Sequence, residues 1–163
     1  MTNNDILRRL RYTFDFNDQK MIKICRLADL TVTKEQVTAW LKKEEDPNYL
    51  RCSDNEMAKF LNGLIVEMRG KKEGPQPVAE HRITNNIIFR KLKIALSLQA
   101  EDILSIMDLA DLRMSKHELS AFFRKEEHKN FRECQDQILR NFLMGLQLKY
   151  RADGESKTSY RWH

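Results

Sequence analysis

LADLTVTKEQVTAWLKKEED, residues 27–46, returns 82 positions later as LADLRMSKHELSAFFRKEEH, residues 109–128. The match extends outward in both directions without a gap. TNNDILRRL from Thr2 meets TNNIIFRKL from Thr84, NYLRCSD from Asn48 meets NFRECQD from Asn130, and KFLNGL from Lys59 meets NFLMGL from Asn141. Over residues 2–69 against 84–151, 24 of the 68 aligned positions are identical, and others exchange like for like, such as Trp40 with Phe122. An ungapped match of this length is the mark of a duplicated module. The chain therefore divides into a first repeat over 1–69, a linker over 70–83, a second repeat over 84–152 and a tail over 153–163. The linker holds Gly70, Gly74, Pro75 and Pro77 with no apolar period, and reads as exposed. In the tail, Tyr160 and Trp162 are the residues able to dock.

Within each repeat the apolar period is that of helices, and four are expected. The first runs from Thr2 or Asn3 to about Phe14, with Ile6, Leu7, Leu10 and Phe14 on one face. The second starts near Asn17. The third opens on a capping box, Thr33 to Gln36 in one copy and Ser115 to Glu118 in the other. The fourth begins at Asp54 or Asp136, either able to cap, and buries Phe60, Leu61 and Leu64 or Phe142, Leu143 and Leu146. Gly63 and Gly145 lie inside this last helix. A mid-helix glycine costs about 1 kcal/mol against alanine, so its presence in both copies points to a close helix crossing. One such module is small for an independent core. The expected architecture is all-α: two tandem four-helix modules packed about an internal pseudo-twofold axis.

Composition agrees. Only 5 glycines and 3 prolines occur in 163 residues, too few for a turn-rich β fold. Cys25, Cys52 and Cys134 form no close pair, which argues against a disulfide framework and for a reducing, cytoplasmic setting. No apolar run is long enough to span a bilayer, so no membrane partner is expected.

The segment K-x-E-E-x-x-N-[FY]-x-x-C-x-D is the one repeated cluster of chemically capable residues: Asn48, Tyr49, Cys52 and Asp54, then Asn130, Phe131, Cys134 and Asp136. A nucleophilic cysteine needs a base such as histidine, and the first copy has none. Zinc needs about four ligands, and one cysteine per copy is too few. Neither catalytic residues, a metal site nor a cofactor is expected. The plain reading is a helix end, a turn and a capped helix, with the cysteine packed as a small hydrophobe. The other reading is an exposed loop around Tyr49 or Phe131 that meets a ligand or partner.

The doubled N-x-x-[FY]-x-x-C-x-D followed by F-L-x-G-L, carried by Asn48–Asp54 with Phe60–Leu64 and by Asn130–Asp136 with Phe142–Leu146, resembles the YehS-like proteins, a bacterial family of unknown function present as two tandem copies. The resemblance covers nearly the whole chain short of the tail. It implies a small helical bacterial protein and no activity.

Function is less legible than fold. The net charge of +5 permits an anionic partner. The second helix, short turn and third helix of each copy resemble a helix-turn-helix, although the turn lacks the usual glycine. On a continuous third helix, Lys34, Thr38 and Lys42 would form one stripe, matched by Lys116, Ser120 and Arg124, residue types that contact phosphates and base edges. The repeats carry 12 basic and 11 acidic residues, and 12 and 9, so the second is the more suited to a polyanion. The expectation is a non-enzymatic regulatory or accessory protein contacting DNA or RNA. The alternative is an adaptor that binds another protein and no nucleic acid.

Overall fold

A computed structural model of the chain describes residues 1–151. Tyr160 and Trp162 lie outside the described residues. Eight helices form, four per copy, with no strand among the described residues. They are α1 (Asn3–Phe14), α2 (Asp18–Leu27), α3 (Lys34–Trp40) and α4 (Asp54–Arg69), then α5 (Asn85–Ala95), α6 (Ala100–Leu109), α7 (Lys116–Ala121) and α8 (Asp136–Tyr150).

Side-chain oxygens start most of them. Thr2, Asn17, Thr33, Ser53, Thr84 and Ser115 each accept an N–H of the first helical turn. The boxes at Thr33–Gln36 and Ser115–Glu118 close in both directions. Asp54 and Asp136 do not cap. Ser53 and Gln135 hold the cap positions, and only Ser53 makes a side-chain cap bond. One residue inside each helix, the two carboxylates are free to take long-range donors.

The LADL turn does without glycine because Asp29 and Asp111 adopt the left-handed conformation, each at φ 60°. Aspartate tolerates that region better than most residues. Leu30 N–H then reaches back to Cys25 O at 3.0 Å and Leu112 N–H to Met107 O at 3.0 Å, closing the end of α2 and α6.

Within a copy, α2 packs on α3 and α4, and α6 on α7 and α8. Gly63 permits the α2–α4 crossing and Gly145 the α6–α8 crossing: a Cβ at the first would stand 1.9 Å from Ile24 O, and one at the second 2.1 Å from Ile106 O. Between copies, α4 lies on α5 and α1 on α8, the exchange of partners that a twofold demands. Two pairs of bonds repeat the symmetry. Arg69 donates to Ile94 O at 3.2 Å, and its counterpart Arg151 donates to Tyr12 O at 2.6 Å. Asp54 accepts the Ile83 N–H at 3.2 Å, and Asp136 accepts the Met1 amino group at 3.3 Å. One continuous apolar cluster crosses the interface, and Trp40, Phe60, Leu64, Phe122, Phe142 and Leu146 are all buried in it.

Two surface features stand out. Lys91 is only 7% exposed, and its ammonium meets Asn62 Oδ1 and, at 3.0 Å, Glu80. The linker is exposed over most of its length, yet its end is docked: Asn55 of α4 donates to Glu80 O at 2.9 Å.

Candidate functional site

The repeated loop is held by two asparagines that open the first helix of each copy. Asn4 is fully buried. Its amide donates to Trp40 O at 2.8 Å and Leu50 O at 2.9 Å, and its oxygen accepts the Cys52 N–H at 3.0 Å. Asn86 makes the same three bonds, to Phe122 O, Arg132 O and Cys134 N. Asn3 donates to Cys52 O and Asp54, at 3.1 and 2.9 Å, and Asn85 donates to Cys134 O and Asp136, at 3.0 and 2.7 Å. The loop backbone is thus fully partnered where it passes under the helix, as buried polar groups must be. These asparagines escaped the sequence reading. The only signal was the repeated TNN, which looks locally like an ordinary helix start.

Cys52 and Cys134 are buried beneath this seam, 1% exposed each. Burial pushes the Cys134 thiol to about 12, helped by Asp136, and raises Cys52 further. Cys25 likewise rises to about 12. A reactive cysteine needs a lowered pKa and access, and these three have neither. Asn48 and Asn130 are exposed, and their N–H groups fold onto Asp46 and His128 within the turn. Tyr49 and Phe131 are half-buried, not the exposed anchors expected.

The basic stripes are broken. α3 ends at Trp40 and α7 at Ala121, so Lys42 and Arg124 stand beyond the helices that were to align them. The helices stop because distant groups claim the carbonyls that would have continued them: Asn4 takes Trp40 O, and Arg8 takes Lys42 O at 3.0 Å. Lys34 and Thr38 remain exposed on α3. Lys116 is 2.6 Å from Glu101, and Ser120 donates its hydroxyl back to His117 O.

What the structure gathers instead is a cleft of about 380 Å³ in the second copy, between the start of α5 and the α7–α8 loop. Arg90, Arg124, Lys125 and Phe131 line it, together with Glu126, Glu133 and Asp136. Asp136 is already engaged by Asn85 and the Met1 amino group, which hold its carboxyl below the ordinary range. The first copy has a cleft of about 300 Å³ at the equivalent Thr2, Asn3, Asn4, Arg51, Cys52 and Asp54, but its donors are satisfied from within. There Asp5 accepts the Thr2 N–H at 2.9 Å and pairs with Arg8. Burial would raise the Asp5 carboxyl, but Thr2 and Arg8 outweigh it and hold it low. In the second copy Ile87 replaces Asp5, so α5 has no capping box and no acid in its first turn.

Among the described residues no group of acids, cysteines or histidines is arranged to hold a metal ion, and no helix is long and apolar enough to cross a membrane.

A duplicated all-helical module with its loop stapled by paired asparagines defines the class. The chain belongs to the family described as "Protein of unknown function (DUF1456)", whose profile matches twice, over residues 3–70 and 85–152. It is similar to the "Uncharacterized protein YehS" of Escherichia coli (strain K12), 47% identical over 147 residues that cover 90% of this chain and 94% of that protein. No solved structure gives a significant match.

Proposed function

We propose that the protein is a non-enzymatic regulatory or accessory factor of the bacterial cytoplasm that contacts nucleic acid, and that the contact is made by the second copy's cleft rather than by the third helices. The observation that carries the reading is the convergence of Arg90, Arg124 and Lys125 on one groove with Phe131 in its wall. Guanidinium groups meet phosphate oxygens in a fork, and an aromatic ring offers a face on which an unstacked base can lie. That combination suits a single strand better than a duplex. α3, at 7 residues, is short for a recognition helix. The non-enzymatic half rests on the buried, protonated thiols at the repeated loop.

Titration of the full chain with labelled single strands and duplexes, at low and moderate salt, tests this. Binding through phosphates weakens as salt rises because counterions are released. Arg90→Ala and Lys125→Ala should weaken it, while Lys34→Ala and Lys42→Ala should leave it nearly unchanged. Undetectable affinity at low salt would end the reading. The adaptor reading would then lead, supported by the symmetry-related Leu27 and Leu109, which are 37% and 50% exposed at the ends of α2 and α6.

A further inference from the structure

The two copies differ at the mouth of the cleft in several residues, among them Glu133 for Arg51 and Ile87 for Asp5, and the second of these changes what the donors hold. In the first copy, a carboxylate from Asp5 sits at the N-terminus of α1, bonded to the Thr2 N–H and the Arg8 guanidinium. In the second copy both donors are kept, as Thr84 and Arg90, but the carboxylate is gone. Thr84 N–H has no acceptor and Arg90 makes no ion pair among the described residues. Arg124 adds an Nε that is buried without a hydrogen-bond partner, and Lys125 adds a second charge from the same loop. The 11-residue α5 has no acid in its own first turn, although the Asp136 carboxylate of α8 is bonded to Asn85 at its start. The first copy therefore shows what chemistry the donor set holds, and the second leaves the same donors facing an open cleft.

From this we propose that the second copy's cleft is a phosphomonoester seat, in which a terminal phosphate takes from outside the position that the Asp5 carboxylate fills from within. A phosphomonoester carries close to two negative charges and three terminal oxygens, enough to meet Thr84 N–H, Arg90 and Arg124 together. Helix N-termini bind such groups through their free N–H donors and dipole. An internal phosphodiester has one charge and two free oxygens, and its chain must leave the groove in both directions. Glu126 and Glu133 are exposed on the same cleft and oppose a ligand with further anionic groups near the seat, which favours an end over a run of phosphates. The source consistent with the function proposed above is the 5′ end of a nucleic-acid strand. The seat itself does not depend on that source.

The test uses the full chain, single strands of one sequence with and without a 5′-phosphate, AMP, and inorganic phosphate. Resonances of Thr84, Arg90 and Arg124 report the site. The 5′-phosphorylated strand should bind about tenfold tighter than its 5′-hydroxyl twin, as charge-assisted bonds to one phosphate allow, and AMP should compete. Ile87→Asp installs the first copy's own carboxylate and should abolish the preference without lowering the thermal midpoint. Arg90→Ala should reduce it. Equal affinity for both strands, or a preference that survives Ile87→Asp, overturns the seat and leaves nucleic-acid binding standing. AMP shifting the cleft resonances while no strand binds retires the nucleic-acid reading and keeps the seat. No response to any of the probes retires both.

Discussion

The Asp54 carboxylate accepts the Ile83 N–H at 3.2 Å, so the start of the fourth helix in one copy holds the entry to the other. Eighty-two positions on, Asp136 receives the Met1 amino group at 3.3 Å, and the relation runs the opposite way. In both copies the second oxygen of the carboxylate is bound by an asparagine of its own module, Asn3 or Asn85. Each carboxylate therefore ties its own first helix to the neighbouring copy's entry. These exchanged contacts cross-link the two modules.

A pH dependence follows. The Asn85 amide and the amino terminus hold the Asp136 carboxyl below its ordinary range, and the Lys20 and Lys23 ammonium groups do the same for Glu67. An unfolded aspartate titrates near 3.9 and a glutamate near 4.3. A folded pKa below the unfolded one means that the unfolded chain binds more protons as pH falls. The contribution is then complete above about pH 5 and is lost as pH drops through the folded values. The urea midpoint should be flat from pH 7 to 5 and fall below about pH 4. Asp136→Asn should flatten part of that fall, and a fall of unchanged steepness would remove Asp136 from the account.

Asn4→Ala should cost about 3–5 kcal/mol, because it orphans Trp40 O, Leu50 O and the Cys52 N–H together in a buried seam. Asn48→Ala, at the exposed motif asparagine, should stay within about 0.5 kcal/mol. Urea denaturation of the two variants separates the asparagine that builds the loop from the one that decorates it. Equal losses would contradict the assignment.

Gly63→Ala should destabilise despite a helix-propensity gain of about 1 kcal/mol. Its Cβ would meet the Ile24 carbonyl at 1.9 Å, and a backbone atom has no rotamer by which to withdraw. A net loss of about 2 kcal/mol or more is expected, with the same sign for Gly145→Ala against Ile106. A neutral result would mean that α2 and α4 slide apart freely.

The contrast between the helix starts and the helix ends shows what the sequence carried. A hydroxyl with an acceptor three residues later is a local pattern, so the starts of α3 and α7 were readable at Thr33 and Ser115. The ends of α3 and α7 depend on Asn4, Arg8 and Asn86, whose acceptors lie 34 to 36 residues away in the chain. No window of periodicity contains both partners. The basic stripes failed for that reason. What sets the second cleft apart is legible only by comparison, since Ile87 stands there for Asp5, a difference that means nothing until the Thr2 and Arg8 contacts are known. The burial of Lys91 is equally invisible locally, because its partners, Asn62 and Glu80, come from α4 and the linker end.

Gln147 gives the last prediction. It is 1% exposed on α8, and neither amide atom of its side chain has a hydrogen-bond partner. The corresponding position in the first copy is Ile65, so the module's architecture accepts a branched aliphatic side chain there. Burying an amide without partners costs about 1–3 kcal/mol relative to an apolar group of similar volume. Gln147→Ile removes the polar atoms and leaves no donor or acceptor stranded, because none was engaged. The variant should gain about 1–2 kcal/mol, read as a rise of about 2–4 °C in Tm for each kcal/mol in a chain of this size. Gln147→Ala is the control. It removes the same amide but opens a cavity, whose cost offsets the gain. If Gln147→Ile lowers Tm as much as Gln147→Ala does, the amide is engaged in the folded protein and the position was selected for it.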